Sequence, residues 1–164
     1  MTKLFKEKYK KIFIIAVLVF SISIISTGCS SKKEVKEISV NKIVEEIKNE
    51  SDISSLKERN NEKLEKLYDI NSDEIEEFVL YTASSNLKAD ELLILKVKDE
   101  KDLPNIEDKI NKRIENQSDS FKDYLPDEYY LMEKHVLKTN NNYILFAVSK
   151  DVDKIENAFD SILK

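Results

Sequence analysis

Residues 91–114 read Glu-Leu-Leu-Ile-Leu-Lys-Val-Lys-Asp-Glu-Lys-Asp-Leu-Pro-Asn-Ile-Glu-Asp-Lys-Ile-Asn-Lys-Arg-Ile, and their hydrophobic period changes once. From Glu91 to Lys98 the residues Leu93, Leu95 and Val97 alternate, as a strand with one buried face requires. From Asp102 the period lengthens: Ile106, Ile110 and Ile114 fall on one helix face, with Asp102 as the N-cap and Pro104 in the first turn. A strand therefore runs into a helix across a short polar turn. Upstream, Phe78 to Thr82 is a second β-rich run, and Ser84-Ser85-Asn86 supplies the loop that would close the two into a hairpin.

The same pattern returns in the C-terminal part. Tyr130 to Lys138 and Tyr143 to Ser149 read as a second hairpin, turning at Asn140-Asn141-Asn142, where asparagine takes the left-handed angles that glycine would otherwise supply. A helix then begins at Asp151, with Ile155, Phe159 and Leu163 as its stripe. The segment Asp102-Leu103-Pro104-Asn105-Ile106-Glu107 matches Asp151-Val152-Asp153-Lys154-Ile155-Glu156 in cap, apolar second position and Ile-Glu. A duplicated ββα unit is the expectation. Two helices precede it: Val40, Ile43, Val44 and Ile47 behind a Ser39 cap, and Leu64, Leu67 and Tyr68 behind Asn61. The expected fold class is α+β: an antiparallel four-stranded sheet with helices on one face, its ββα units preceded by N-terminal helices.

A chain of 164 residues, 41% hydrophobic and 36% charged, suits one globular domain. It has one Gly (Gly28), one Cys (Cys29), one His (His135), two Pro and no Trp. Everything after Cys29 lacks glycine and cysteine, which excludes glycine-rich phosphate loops, the GxSxG nucleophile elbow, cysteine zinc sites and intrachain disulfides.

Lys3, Lys6, Lys8, Lys10 and Lys11 precede an uncharged run from Ile12 to Ile25. A helix crossing the bilayer needs about 20 apolar residues, so this shorter run suits the core of a signal peptide. It ends Ile25-Ser26-Thr27-Gly28-Cys29, which resembles the lipobox of bacterial lipoproteins, with Ser26 where that motif usually has Leu. The resemblance implies cleavage before Cys29 and lipidation of its thiol, two or more acyl chains giving a stable anchor. The expected domains are residues 1–28 as signal peptide, 29–37 as lipidated cysteine and polar tether, and 38–164 as a single α+β domain. Removing the leader takes five of the 27 basic residues and one of the 32 acids, leaving a mature charge of −9. Such a surface repels nucleic acid. The dominance of Lys, Ile and Asn suggests an AT-rich genome and, with the lipobox, a Gram-positive bacterium.

Arg113-Ile114-Glu115-Asn116-Gln117, then Phe121 and Tyr124-Leu125-Pro126, then the Tyr143 to Ser149 strand, resemble the Gram-positive lipoprotein family known as domain of unknown function 4358. The Val40 to Ile47 helix, Tyr68-Asp69-Ile70 and Ala89-Asp90-Glu91 fit the same pattern, so the likeness spans residues 38–150. It implies a small, exported, lipid-anchored domain with no established activity and no catalytic residues to transfer.

No catalytic constellation, metal set or cofactor motif is expected. His135 has Glu133 two residues away but no further ligands at a recognisable spacing. The pairs Asp151/Asp153 and Asp119/Asp123 lack a calcium loop. Ser84, Ser85, Ser118 and Ser120 read as loop serines. The best binding candidates are Arg113, Gln117, Tyr124 and Tyr129, where one of only two arginines stands near aromatics that could hold a carboxylate or a partner side chain. The plainer alternative is that Arg113 pairs with an acid on a helix while the aromatics fill a seam. The expected function is a non-enzymatic binding or accessory protein of the cell envelope, held on the outer face of the cytoplasmic membrane through Cys29, with an envelope protein as partner. A small-molecule or cell-wall-fragment binding lipoprotein is the alternative.

Overall fold

The computed structural model describes residues 37–164; the expected signal peptide and Cys29 lie outside the described residues. In chain order the elements are α1 (Val40–Glu50), β1 (Leu56–Arg59), α2 (Asn61–Tyr68), β2 (Ile75–Ala83), β3 (Glu91–Val97), a 3-10 turn (Glu100–Asp102), α3 (Leu103–Phe121), α4 (Pro126–Glu133), β4 (Val136–Asn140), β5 (Tyr143–Val148) and α5 (Val152–Ile162). The α+β class holds. The sheet is antiparallel throughout, but it has five strands, in the order β1-β2-β3-β5-β4, where four were expected.

The additional strand, β1, is Leu-Lys-Glu-Arg, four residues with a single apolar side chain. A short charged strand carries no hydrophobic alternation, and charge on an edge strand discourages pairing with other chains. The second correction concerns the faces. Leu93, Leu95, Ile144 and Phe146 pack with α2, α3 and α4 in one core. Ile94, Leu92, Leu145 and Ala147 pack with α1 and α5 in another. Helices therefore cover both faces of the sheet. The physical reason lies in β3 and β5 themselves, which are buried along their whole length and run nearly continuously apolar, as strands covered on both sides do.

The two expected hairpins form, as β2-β3 and β4-β5, but the helix after the first lies on one face and the helix after the second on the other. The matching stripes of the two helices thus serve different cores. The stretch from Tyr130 also divides differently: Pro126–Glu133 is helix α4 and only Val136–Asn140 is strand. Pro126 stands in its first turn, and Asp127 and Glu128 there favour a helix start.

Local signals behave as chemistry requires. Ser39 accepts from the Lys42 amide, and Asn60, one residue before the expected cap, accepts from Lys63. Asn141 turns the β4-β5 hairpin at φ 52°, a left-handed angle. Ile106 and Ile110 are fully buried, each contributing about 1.5–3 kcal/mol by leaving water. The domain begins at one end of the sheet: the Tyr143 hydroxyl accepts from the Ile38 amide at 3.1 Å and donates to the Ile38 carbonyl at 2.7 Å. At the same end, buried Lys96 pairs with Glu76 at 2.8 Å and Glu37 at 3.8 Å.

Candidate functional site

At the opposite end of β3 stands Glu91, a carboxylate heading an apolar strand, its side chain 1% exposed. Burying it requires partners. One carboxylate oxygen takes a short hydrogen bond from the Tyr68 hydroxyl on α2, and the other takes Arg113 Nη2 from α3 at 2.9 Å. The Arg113 guanidinium also lies 5.9 Å from the centre of the Tyr68 ring. Burial, and then the Glu91 carboxylate, hold the Tyr68 phenol well above its ordinary range, so it stays a donor. Burial alone would pull the Arg113 guanidinium down; Glu91 outweighs that and the net shift is upward. The partner of Arg113 is thus an acid on a strand and not on a helix.

One turn further along α3 is Gln117, and both side chains line a small cleft between α2, α3 and the β2–β3 loop, with a volume of about 220 Å³. Arg113 Nε and Gln117 Oε1 are buried without hydrogen-bond partners. The chain's other arginine, Arg59 at the end of β1, lines the same cleft. Its Nε donates to Thr82 Oγ1 at 2.8 Å and its Nη2 to the Ala83 carbonyl at 3.2 Å. These neutral acceptors fix the plane of the guanidinium, which makes no salt bridge among the described residues. Lys63, Lys88 and Asp90 complete the charged lining.

Lys88 is already committed: its Nζ lies 2.6 Å from Glu128, whose second oxygen accepts from the Ala89 amide at 2.9 Å. Burial raises the Glu128 carboxyl, but Lys88 and the Ala89 amide outweigh it and the net shift is downward. Asp90 is shifted upward from 3.8, by burial first and Glu128 second. Larger hollows of about 650 Å³ beside the end of α1 and about 730 Å³ beside α4 are not lined by arginine, whereas one of about 450 Å³ is lined by Arg59 and Lys63 together with Glu58 and Glu62.

Of the residues expected to bind, Arg113 and Gln117 come together. Tyr124, between α3 and α4, is 85% exposed, and Tyr129 packs against the first core; neither lines the cleft. Their sequence proximity misleads because α3 ends at Phe121 and the chain turns away there. The residues missed were Glu91, Tyr68, Arg59, Lys63 and Asp90. Two signals were available: an acid at the head of an uninterrupted apolar strand, and a second arginine in a chain that otherwise uses lysine. His135 sits between α4 and β4 with Nδ1 2.6 Å from the Met132 carbonyl oxygen. Among the described residues no group of three or more His, Cys, Asp or Glu side chains could hold a metal ion.

No match was found among curated proteins or among solved structures. The family model for a domain of unknown function (DUF4358) matches residues 49–149, a span that holds β1 to β5, the buried Glu91–Arg113 pair and the whole cleft lining. The chain belongs to the DUF4358 family.

Proposed function

We propose that this chain is a lipid-anchored, non-enzymatic binding protein of the cell envelope, held through Cys29 on the outer face of the cytoplasmic membrane, with the Arg59–Arg113 cleft as its ligand site. The observation that carries the reading is Arg59: a guanidinium held flat by two neutral acceptors, facing a polar cleft in an acidic chain, with no ion pair among the described residues. A preorganised guanidinium suits a planar anionic group. The anchoring part rests on the leader and on Ile25-Ser26-Thr27-Gly28-Cys29. Its geometry is favourable to binding: Ile38 is fastened at Tyr143, and the cleft lies at the Glu91 end of the sheet. Lys96 lies five positions after Glu91 on β3, or about 17 Å along the strand.

A second reading, an accessory subunit for another envelope protein, draws on Leu87, Tyr124 and Tyr130, which are 64%, 85% and 53% exposed. Leu87 and Tyr130 flank the Lys88–Glu128 pair that joins the β2–β3 loop to α4.

Thermal melting of the full chain in detergent micelles, with and without fractionated small molecules from the envelope, tests the ligand reading. A ligand at a hundred times its Kd adds about 2.7 kcal/mol. A fraction that raises Tm for the wild type and not for Arg59→Gln is expected; shifts indifferent to Arg59 would overturn the cleft as the site. Cell fractionation of Cys29→Ala tests the anchor, and unchanged membrane association would overturn it.

A further inference from the structure

We infer that the cleft takes a small α-amino carboxylate, a free amino acid or a dipeptide, with its carboxylate on Arg59 and Lys63 and its ammonium toward Asp90. This rests on the reading of the cleft as the ligand site and names the class of ligand.

Size restricts the occupant first. At about 220 Å³ the cleft is smaller than the ~300–1,000 Å³ of sites for drug-sized ligands. One or two amino-acid residues fill it. Charge restricts it next. Of the charged lining, Arg113 is neutralised by Glu91 and Lys88 by Glu128. Arg59 and Lys63 remain against Asp90, a net charge near +1. That balance favours a monoanionic carboxylate over a phosphate dianion, which Asp90 would repel.

The acid matters as much as the cations. Ala83 stands between them: its carbonyl accepts from Arg59 Nη2 at 3.2 Å, and its amide donates to the Asp90 carbonyl at 2.9 Å. One residue of β2 therefore ties the Arg59 guanidinium to the main chain of Asp90, and the two side chains line the same small cleft. Burial disfavours ionised Asp90 in the unliganded domain, so a bound ammonium would relieve an existing cost. Ser85 and Asn86, on the same lining, offer hydrogen bonds to a second residue of the ligand.

The test is calorimetric titration of the full chain in micelles with alanine, alanylalanine, acetate, methylammonium and inorganic phosphate. Saturable binding of alanine or alanylalanine is expected, with acetate and methylammonium each weaker by at least about tenfold, ~1.4 kcal/mol. Arg59→Gln and Lys63→Gln should each lose about tenfold for the zwitterion. Asp90→Asn should lose a similar factor for alanine while leaving acetate unchanged. Circular dichroism confirms that each variant is folded, and the partly exposed Lys63 is the variant of choice if Arg59→Gln is not. Acetate or phosphate binding as tightly as alanine, and depending on Arg59, would overturn the ligand class while keeping the site. Failure of every probe would overturn the ligand class too, and the Arg59-dependent melt with envelope fractions would then decide the site separately.

Discussion

Replacing Glu91 by Gln removes the one carboxylate that pairs with Arg113 among the described residues while keeping an oxygen for the Tyr68 hydroxyl. The Glu91 side chain is 1% exposed and that of Arg113 18%, so the variant leaves a guanidinium mostly out of water with no counter-charge. Breaking a buried pair from one side costs about 3–5 kcal/mol. The residual exposure of Arg113 and the surviving Tyr68 bond put the expected cost at the lower end, about 3 kcal/mol. For a domain of this size that lowers Tm by roughly 10 °C. Equilibrium urea unfolding followed by circular dichroism, with tyrosine emission as the second probe, measures it. Arg113→Met should cost a similar amount, because it leaves Glu91 unpaired. The double variant Glu91→Gln/Arg113→Met should cost about as much as either single change, since neither charge is then stranded. A cost below about 1 kcal/mol for Glu91→Gln, or single costs that simply add in the double variant, would refute the pairing as the source of the site's rigidity.

Glu128 is held below its ordinary 4.5, so its contribution is fully present above that value and is lost as pH falls through the folded-state value. Stability should therefore fall below about pH 4.5, and Glu128→Gln should flatten that limb in a urea series across pH. Asp90 is shifted the opposite way, so folding favours its protonated form and the associated stability is lost as pH rises through the folded-state value. Asp90→Asn should then raise stability at pH 7 by up to about 1 kcal/mol, discounted for its partial exposure, even as ligand binding weakens; a destabilised variant would contradict this. At Asn141, with φ 52°, substitution by Val should cost about 1–2 kcal/mol and substitution by Gly should be nearly neutral in thermal melts.

Helices with a clean stripe were legible because their packing writes itself into the sequence. Val40, Ile43, Val44 and Ile47 announce α1, and Ile106, Ile110 and Ile114 announce α3. The β2–β3 and β4–β5 pairings followed from turn chemistry, and Asn141 takes the left-handed angle that the Asn-rich turn suggested. What escaped was structure without a period. β1 holds one apolar residue in four, and α4 contains Tyr129-Tyr130-Leu131-Met132, an apolar run compatible with either strand or helix. The layer on the second face was legible in principle, because Leu92 to Leu95 are consecutive apolar residues and a strand covered on one side alternates.

The site divided in the same way. Arg113 and Gln117 lie one helical turn apart, so spacing alone puts them on one side of α3. Their partners come from β1, α2 and the head of β3, and only the tertiary fold assembles these. Tyr124 and Tyr129 were grouped with Arg113 because they follow it closely in sequence, but the end of α3 at Phe121 separates them from the cleft.

The chain's two arginines allow a direct measurement of the cleft. With arginine labelled by nitrogen-15, the Nε–Hε region of the full chain in micelles contains two side-chain signals, assigned through Arg59→Gln and Arg113→Met. Both should be protected from exchange with water, Arg113 by burial and Arg59 by its bond to Thr82, and addition of alanine should move the Arg59 signal saturably. A rapidly exchanging Arg59 signal that ignores alanine, alanylalanine, acetate and phosphate alike would contradict the cleft as a binding site.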